Sequence, residues 1–184
     1  MEHEIKYNVE WAKTQVLPEF IFFYGHWPKP NKITKSCLSQ WYSCKFYSDG
    51  IEYNCAEQYM MSEKAKLFKD EETRQLIMKE SSQGVIKKLG RQIKNFDEKE
   101  WDKNKMNIVI KGNVLKFSQN EELKKFLLET GDKILVEASP RDRIWGIGMD
   151  QNNPDVYKPF RWKGLNLLGF SLMHARDIIK KNNN

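Results

Sequence analysis

The sequence predicts an α+β fold, a predominantly helical single domain around a small, mostly antiparallel sheet. Three observations lead there. Long stretches carry apolar residues at intervals of three and four, the spacing that gives a helix one apolar face. Short β-branched and aromatic runs are fewer, and two of them flank Asp49-Gly50, a hairpin turn signal. The chain has 184 residues, enough for one sizeable core, and no repeat or interdomain linker interrupts it.

Residues 1–18 are polar with scattered apolar positions and read as an N-terminal extension or a loosely packed helix. Residues 20–24 are aromatic and β-branched, a buried strand stopped by Gly25 and Pro28. Residues 44–47 and 51–53 form the hairpin. Residues 55–68 hold good helix formers without Gly or Pro, predicting a helix of about three to four turns. Lys69-Asp70 breaks it; residues 71–80 make a second helix, and Ser81-Ser82 opens a third that ends near Gly90-Arg91. Asp97 caps a long helix with Met106, Val109, Ile110, Val114 and Phe117 on its inward stripe and Asn113 among them. Asn120 caps residues 121–129, and Gly131 ends that helix in the position that favours a left-handed residue. Residues 134–138 form a strand closed by Ser139-Pro140, a loop runs to about Pro159, and residues 165–179 form the last helix. The folded domain thus spans residues 19–179, and residues 180–184 form a disordered tail.

The net charge of +6 is compatible with a phosphate-bearing partner without requiring one. Aromatics make up 12% of the chain, with six Trp, more than a core of this size uses, so some rings belong in a cleft. Cys37, Cys44 and Cys55 form no close pair and only three His exist, so the thiols should be reduced and no metal or cofactor site is expected. The N-terminus is charged and the longest apolar run is far too short to span a bilayer. An intracellular protein without a membrane partner is expected, cytoplasmic or, in a eukaryote, nuclear.

Candidate chemistry starts in the helix of residues 55–68. At 100° per residue, Glu57, Met61, Lys64 and Phe68 fall within about 60° of one another. An acid and a base therefore sit on the face that should point inward. Burying an unpaired charge costs several kcal/mol or shifts its pKa, so such groups have either partners or a task. Glu57 and Lys64 are about 10 Å apart along the axis, yet both side chains can reach one molecule lying beside the helix. A structural ion pair and a lysine reaching to solvent give the same pattern. A second stretch, residues 141–148, places Asp142 between two arginines, with Trp145 offering a flat face beside Gly146 and Gly148. In a third, Lys163-Gly164 precedes a helix start, as at phosphate sites, while Gly169 suits close helix packing.

The string Asp49-Gly50-x-x-Tyr53-x-x-Ala56-Glu57-Gln58-Tyr59, followed by Lys64, resembles the signature of the NADAR superfamily. Phe23-Tyr24, Leu38-Ser39, Leu89-Gly90-Arg91, Trp101, Lys116-Phe117, Leu135-Val136-Glu137, Asp142-x-x-Trp145-Gly146-x-Gly148 and Gly164-x-Asn166-x-Leu168-Gly169 continue it in order. The resemblance implies an N-glycosidase that cuts a ribose C1′–N bond. One branch of the family acts on phosphoribosylamino-pyrimidines of riboflavin synthesis; another removes ADP-ribose from guanine in nucleic acid. Gln58 stands where the riboflavin-linked bacterial branch has His; with the positive charge, this favours ADP-ribosylated nucleic acid over a phosphoribosylated small molecule. On this reading Lys64 attacks C1′ or acts electrostatically, Glu57 shuttles protons, and Asp142 holds ribose hydroxyls or stabilises charge at C1′. Trp101 and Trp145 stack on the base or cap the pocket, and Arg91 with the Gly146 and Gly148 backbone binds phosphate. Trp41, Tyr59 and Asn166 complete the substrate-binding set. A non-catalytic ADP-ribose or NAD reader needs the same contacts and is the rival of another class.

Overall fold

In the computed structural model, which describes residues 5–182, a parallel strand pair carries both of its C-terminal ends to one edge of the molecule. β1 (Phe20–Phe23) lies beside β4 (Ile134–Glu137), with Phe20 opposite Ile134 and Phe23 opposite Glu137. The bond from Ala138 N to the Phe23 carbonyl, 2.9 Å, fixes that edge. β2 (Phe46–Ser48) and β3 (Ile51–Tyr53) form the expected hairpin, with Asp49 and Gly50 at φ 51° and 78°. The α+β class stands, but among the described residues the strands divide into two separate pairs, one antiparallel and one parallel. Parallel pairing requires a long crossover, and the helices between β1 and β4 supply it.

At the centre is α2 (Ala56–Leu67), packed by α3 (Glu71–Lys79), α4 (Gln83–Gly90) and α5 (Glu98–Ser118). It is buried nearly all round in its first two turns, including Gln58 and Ser62, which lie off the face of Glu57 and Lys64. The cause is α3, which folds back over that face. Gln58 Nε2 donates to the Ile77 and Glu80 carbonyls, both at 3.1 Å, and Arg74 Nε donates to Ser62 Oγ at 3.2 Å. On another side Gly90 lets α4 press against α2, since a Cβ there would lie 1.9 Å from Met61 Sδ.

α6 (Glu121–Glu129) ends at Thr130 with Gly131 at φ 58°, as expected. Asn120 precedes it without capping it; its Nδ2 donates instead to the Lys45 and Lys116 carbonyls. α7 (Leu167–Asn182) lies across α5 and β4. It continues through Lys180 and Lys181 to Asn182, where a disordered tail was expected, because basic residues suit the negative end of a helix. Asn183 and Asn184 lie outside the described residues. The N-terminal segment is not an appendage either. α1 (Val9–Lys13) follows Tyr7, which is buried and joined to α7 through Tyr7 N to His174 Nε2, 3.3 Å, and Tyr7 OH to Asp177 Oδ2, 2.6 Å. Residues 1–4 of that expected extension lie outside the described residues. Among the described residues no helix is long and apolar enough to cross a membrane.

Candidate active site

Glu57 stands in the first turn of α2 and is 4% exposed. Its N–H donates to the Gln40 carbonyl at 2.9 Å, and the Trp41 side chain lies beside its carboxyl group and favours the charged form. The turn carrying these two residues is pinned from α5. Lys116 Nζ donates to the Cys37 and Ser39 carbonyls at 2.7 and 2.8 Å, and Asn113 Nδ2 donates to Gln40 Oε1 at 3.0 Å. Burial pushes the Glu57 pKa up to about 7; the Asp142 charge adds to this, and Lys87, Trp41 and Arg91 oppose it.

A second acid, Glu137, arrives from the C-terminal end of β4. Its Oε2 is buried and has no hydrogen-bond partner among the described residues. Burial again raises the pKa, to about 8, with Asp142 and Glu57 adding to the rise and Lys87 opposing it. Asp142 follows in the next loop, where its Oδ1 accepts from Ile144 N at 2.9 Å and Trp145 N at 2.7 Å. Among the described residues neither flanking arginine forms an ion pair with it. The acids thus form one electrostatic group, with Lys87 of α4 set against Glu57 and Glu137.

Lys64 is half-buried two turns along α2. Its Nζ donates to the Gly90 carbonyl at 2.8 Å and lies 4.4 Å from the Phe96 ring centre and 5.4 Å from that of Trp101. Burial holds its pKa below the usual lysine value, the Glu57 charge opposes this, and nearby Arg91 reinforces it. Burial therefore acts on both groups in the direction of neutrality, a protonated carboxyl and a free amine.

The structure therefore gathers Glu57, Lys64, Asp142, Trp41, Arg91 and Trp101, and adds Glu137, Lys87 and Phe96. Other expected site residues are used elsewhere. Tyr59 is 1% exposed and packs on Tyr53 and Phe46, against Gly112 of α5, so its ring is core. Asn166 is fully buried and acts as a substitute strand edge, its Oδ1 accepting from Glu137 N at 3.0 Å and its Nδ2 donating to the Leu135 carbonyl at 2.9 Å. The Gly148 N–H donates to the Asp142 carbonyl and that of Ile147 to the Glu137 carbonyl, so these amides are committed and not turned to a phosphate. Gly146 is there for close packing: a Cβ would lie 2.9 Å from the Glu137 carbonyl oxygen. The Trp145 ring packs on the core and is partly exposed. Gln58 braces α3, which removes it as evidence about the substrate.

Sequence signals existed for two of the missed groups. Glu137 ends an apolar strand, where an acid can mark the strand's functional end. Lys87 lies three residues before Gly90 and so shares the α4 face pressed against α2. Among the described residues no three His, Cys, Asp or Glu side chains are placed to hold a metal ion.

The NADAR domain family model matches residues 22–180. The chain belongs to the NADAR family. This NADAR protein is similar to the N-glycosidase R617 of Acanthamoeba polyphaga mimivirus, 46% identical over 164 residues covering 86% of this chain and 95% of the relative. It is 33% identical over 129 residues to the N-glycosidase YbiA of Escherichia coli strain K12, covering 70% and 72% of the two chains. The NMR structure of E. coli YbiA superimposes with a TM-score of 0.72 at 26% identity, over 95% of this chain and 93% of that one. The α+β fold is therefore the NADAR fold.

Proposed function

We propose that this protein is an N-glycosidase that hydrolyses the ribose C1′–N bond of a ribosylated base, removing ADP-ribose from guanine in nucleic acid. The observation that carries it is a buried pair of carboxyls with pKa near neutrality, Glu57 and Glu137, beside a desolvated lysine on the same helix as Glu57. An acid titrating near the working pH can give up a proton and take it back, which bond cleavage to a poor leaving group requires. The N-glycosidase relatives support the class of reaction.

In the proposed sequence, Lys64 Nζ attacks C1′ as a neutral amine while the C1′–N bond to the base breaks. The departing nitrogen takes a proton from Glu137, which holds it at neutral pH, and Glu57 relays the proton lost by the amine. The sugar opens to an imine on Lys64; water adds, the C1′–Nζ bond breaks, and the free sugar and amine are regenerated. Asp142 balances positive charge developing at C1′, Arg91 takes phosphate at the open end, and Trp41 and Trp101 flank the base and sugar. In direct hydrolysis, the alternative, Glu57 activates water and Lys64 contributes charge alone.

The test sets guanine-ADP-ribosylated DNA beside a phosphoribosylamino-pyrimidine, with products read by mass spectrometry. Restored guanine with free ADP-ribose is expected, and a cyanoborohydride-trapped adduct on Lys64 during turnover. Ribose 5-phosphate from the pyrimidine alone would move the substrate to the small molecule. Binding of ADP-ribose without cleavage of either would replace the enzyme by a reader.

A further inference from the structure

Beyond the carboxyl pair, an aromatic series leads outward along the edge where β1 ends. Trp41 touches Glu57; the His26 ring meets Trp41 edge-on at 5.4 Å; and the Trp27 ring stacks on His26 at 4.4 Å with 27° between planes. Trp27 is 72% exposed, an unusual state for the largest apolar side chain. It is nonetheless held in place. Gly25, at φ 86°, lets the ring fold back, since a Cβ there would lie 2.9 Å from Trp27 Cζ3. His26 and the Gly25 backbone cover part of the indole, and most of it meets solvent. Next to it, Pro28 and Pro30 stiffen a tight turn closed by a bridge between Lys29 and Lys32, both exposed.

A fixed, exposed ring beside cations is how proteins hold single-stranded nucleic acid: every base has a flat face to stack, and lysines follow the phosphates. The direction agrees with the proposed chemistry. In the proposed sequence Arg91 and Lys64 take the phosphoribose and Trp41 flanks the base, and it is from Trp41 that the His26 and Trp27 rings continue. We infer that Trp27, backed by His26, is a second stacking subsite that takes the unmodified base next to the reacting nucleotide of a single strand, with Lys29 and Lys32 against the adjoining phosphates. This subsite rests on the N-glycosidase reading for its position relative to the reacting bond, and it assigns a polymer as the substrate.

The experiment compares ADP-ribosylated guanine within a single-stranded oligonucleotide and the same modification on a free guanine nucleotide. Trp27→Ala is expected to lower kcat/KM on the oligonucleotide about tenfold or more, chiefly through KM, and to leave the free nucleotide unchanged. Trp27→Phe should restore most of the loss, as a ring and not the indole N–H is required. An equal loss on both substrates would overturn the subsite, placing Trp27 against the ADP-ribose itself; so would no loss on either. Fluorescence anisotropy of a labelled, unmodified oligonucleotide reads binding without turnover. There, Lys29→Gln with Lys32→Gln should flatten the slope of log K against log salt by about 0.7 per lysine. If the wild type cuts neither substrate the N-glycosidase reading falls, and anisotropy decides the subsite separately: binding weakened by Trp27→Ala sustains it, unchanged binding overturns it.

Discussion

Two lysines, Lys64 on α2 and Lys116 on α5, are both withdrawn from water and both held below the usual lysine pKa by burial, yet they serve different ends. Lys116 is fully buried and spends its hydrogens on the Cys37 and Ser39 carbonyls, with the Tyr42 and Phe117 rings around it. The nearest titratable groups acting on it are the thiols of Cys44, Cys37 and Cys55. Lys64 has one carbonyl partner, two aromatic walls and an open side, and it feels the charge of Glu57. A displaced pKa is thus common to a structural tie and a candidate nucleophile. What separates them is access together with a proton partner.

Substitution should split the pair. Lys64→Met is expected to lower turnover about a thousandfold or more, in line with removing a group that acts in the transition state. Its melting temperature should change little: the bond to the Gly90 carbonyl is lost on a half-open side that water can reach, and a desolvated amine gives way to an apolar side chain. Loss of fold with loss of activity would make Lys64 a second structural tie.

Lys116→Met should do the reverse. It leaves the buried Cys37 carbonyl unsatisfied and the Ser39 carbonyl with Tyr42 N alone, and it frees the turn that carries Gln40 and Trp41, costing about 2–4 kcal/mol of stability. For a chain of this size that corresponds to roughly 4–15 °C in Tm, measured by calorimetry. Activity per folded molecule should fall far less than in Lys64→Met, through looser support of Glu57.

The same contrast marks how far the sequence was legible. Glu57 and Lys64 stood out because an acid and a base interrupt the apolar face of a helix, a local pattern. The boundaries of α2 to α6 were readable for the same reason, and Asp97 caps α5 through its bond from Glu100 N, 2.7 Å, as the pattern indicates. Lys116 was hidden, since a lysine at the end of a long helix looks solvated; only the turn of residues 37–41 folding onto it makes it core. Asn166 and Tyr59 failed the opposite way: they lie in motif positions, but their polar or aromatic groups maintain strand and helix contacts. The parallel pairing of β1 and β4, which brings Glu137 to the site, is a contact between residues more than a hundred positions apart, and no local pattern encodes it.

The remaining comparison is between the carboxyls and the pH. An unfolded Glu loses its proton near the ordinary value of 4.5, whereas folded Glu57 keeps its proton to about 7 and Glu137 to about 8. Between these limits the folded state binds more protons than the unfolded one, so the contribution of these acids to stability is complete below about pH 4.5 and falls as pH rises. It levels off above about pH 8. Glu137→Gln removes the titration while keeping the shape. Its stability relative to wild type should climb from pH 5 to 8 and reach a plateau roughly 2–4 kcal/mol higher, measured by urea unfolding across that range. Glu57→Gln should show a smaller rise that ends earlier, and the double variant should gain less than both together, because removing one charge eases the other. A difference that stays flat from pH 5 to 9 would mean that Glu137 is ionised and solvated in the folded protein, and would remove it as the proton donor to the leaving base.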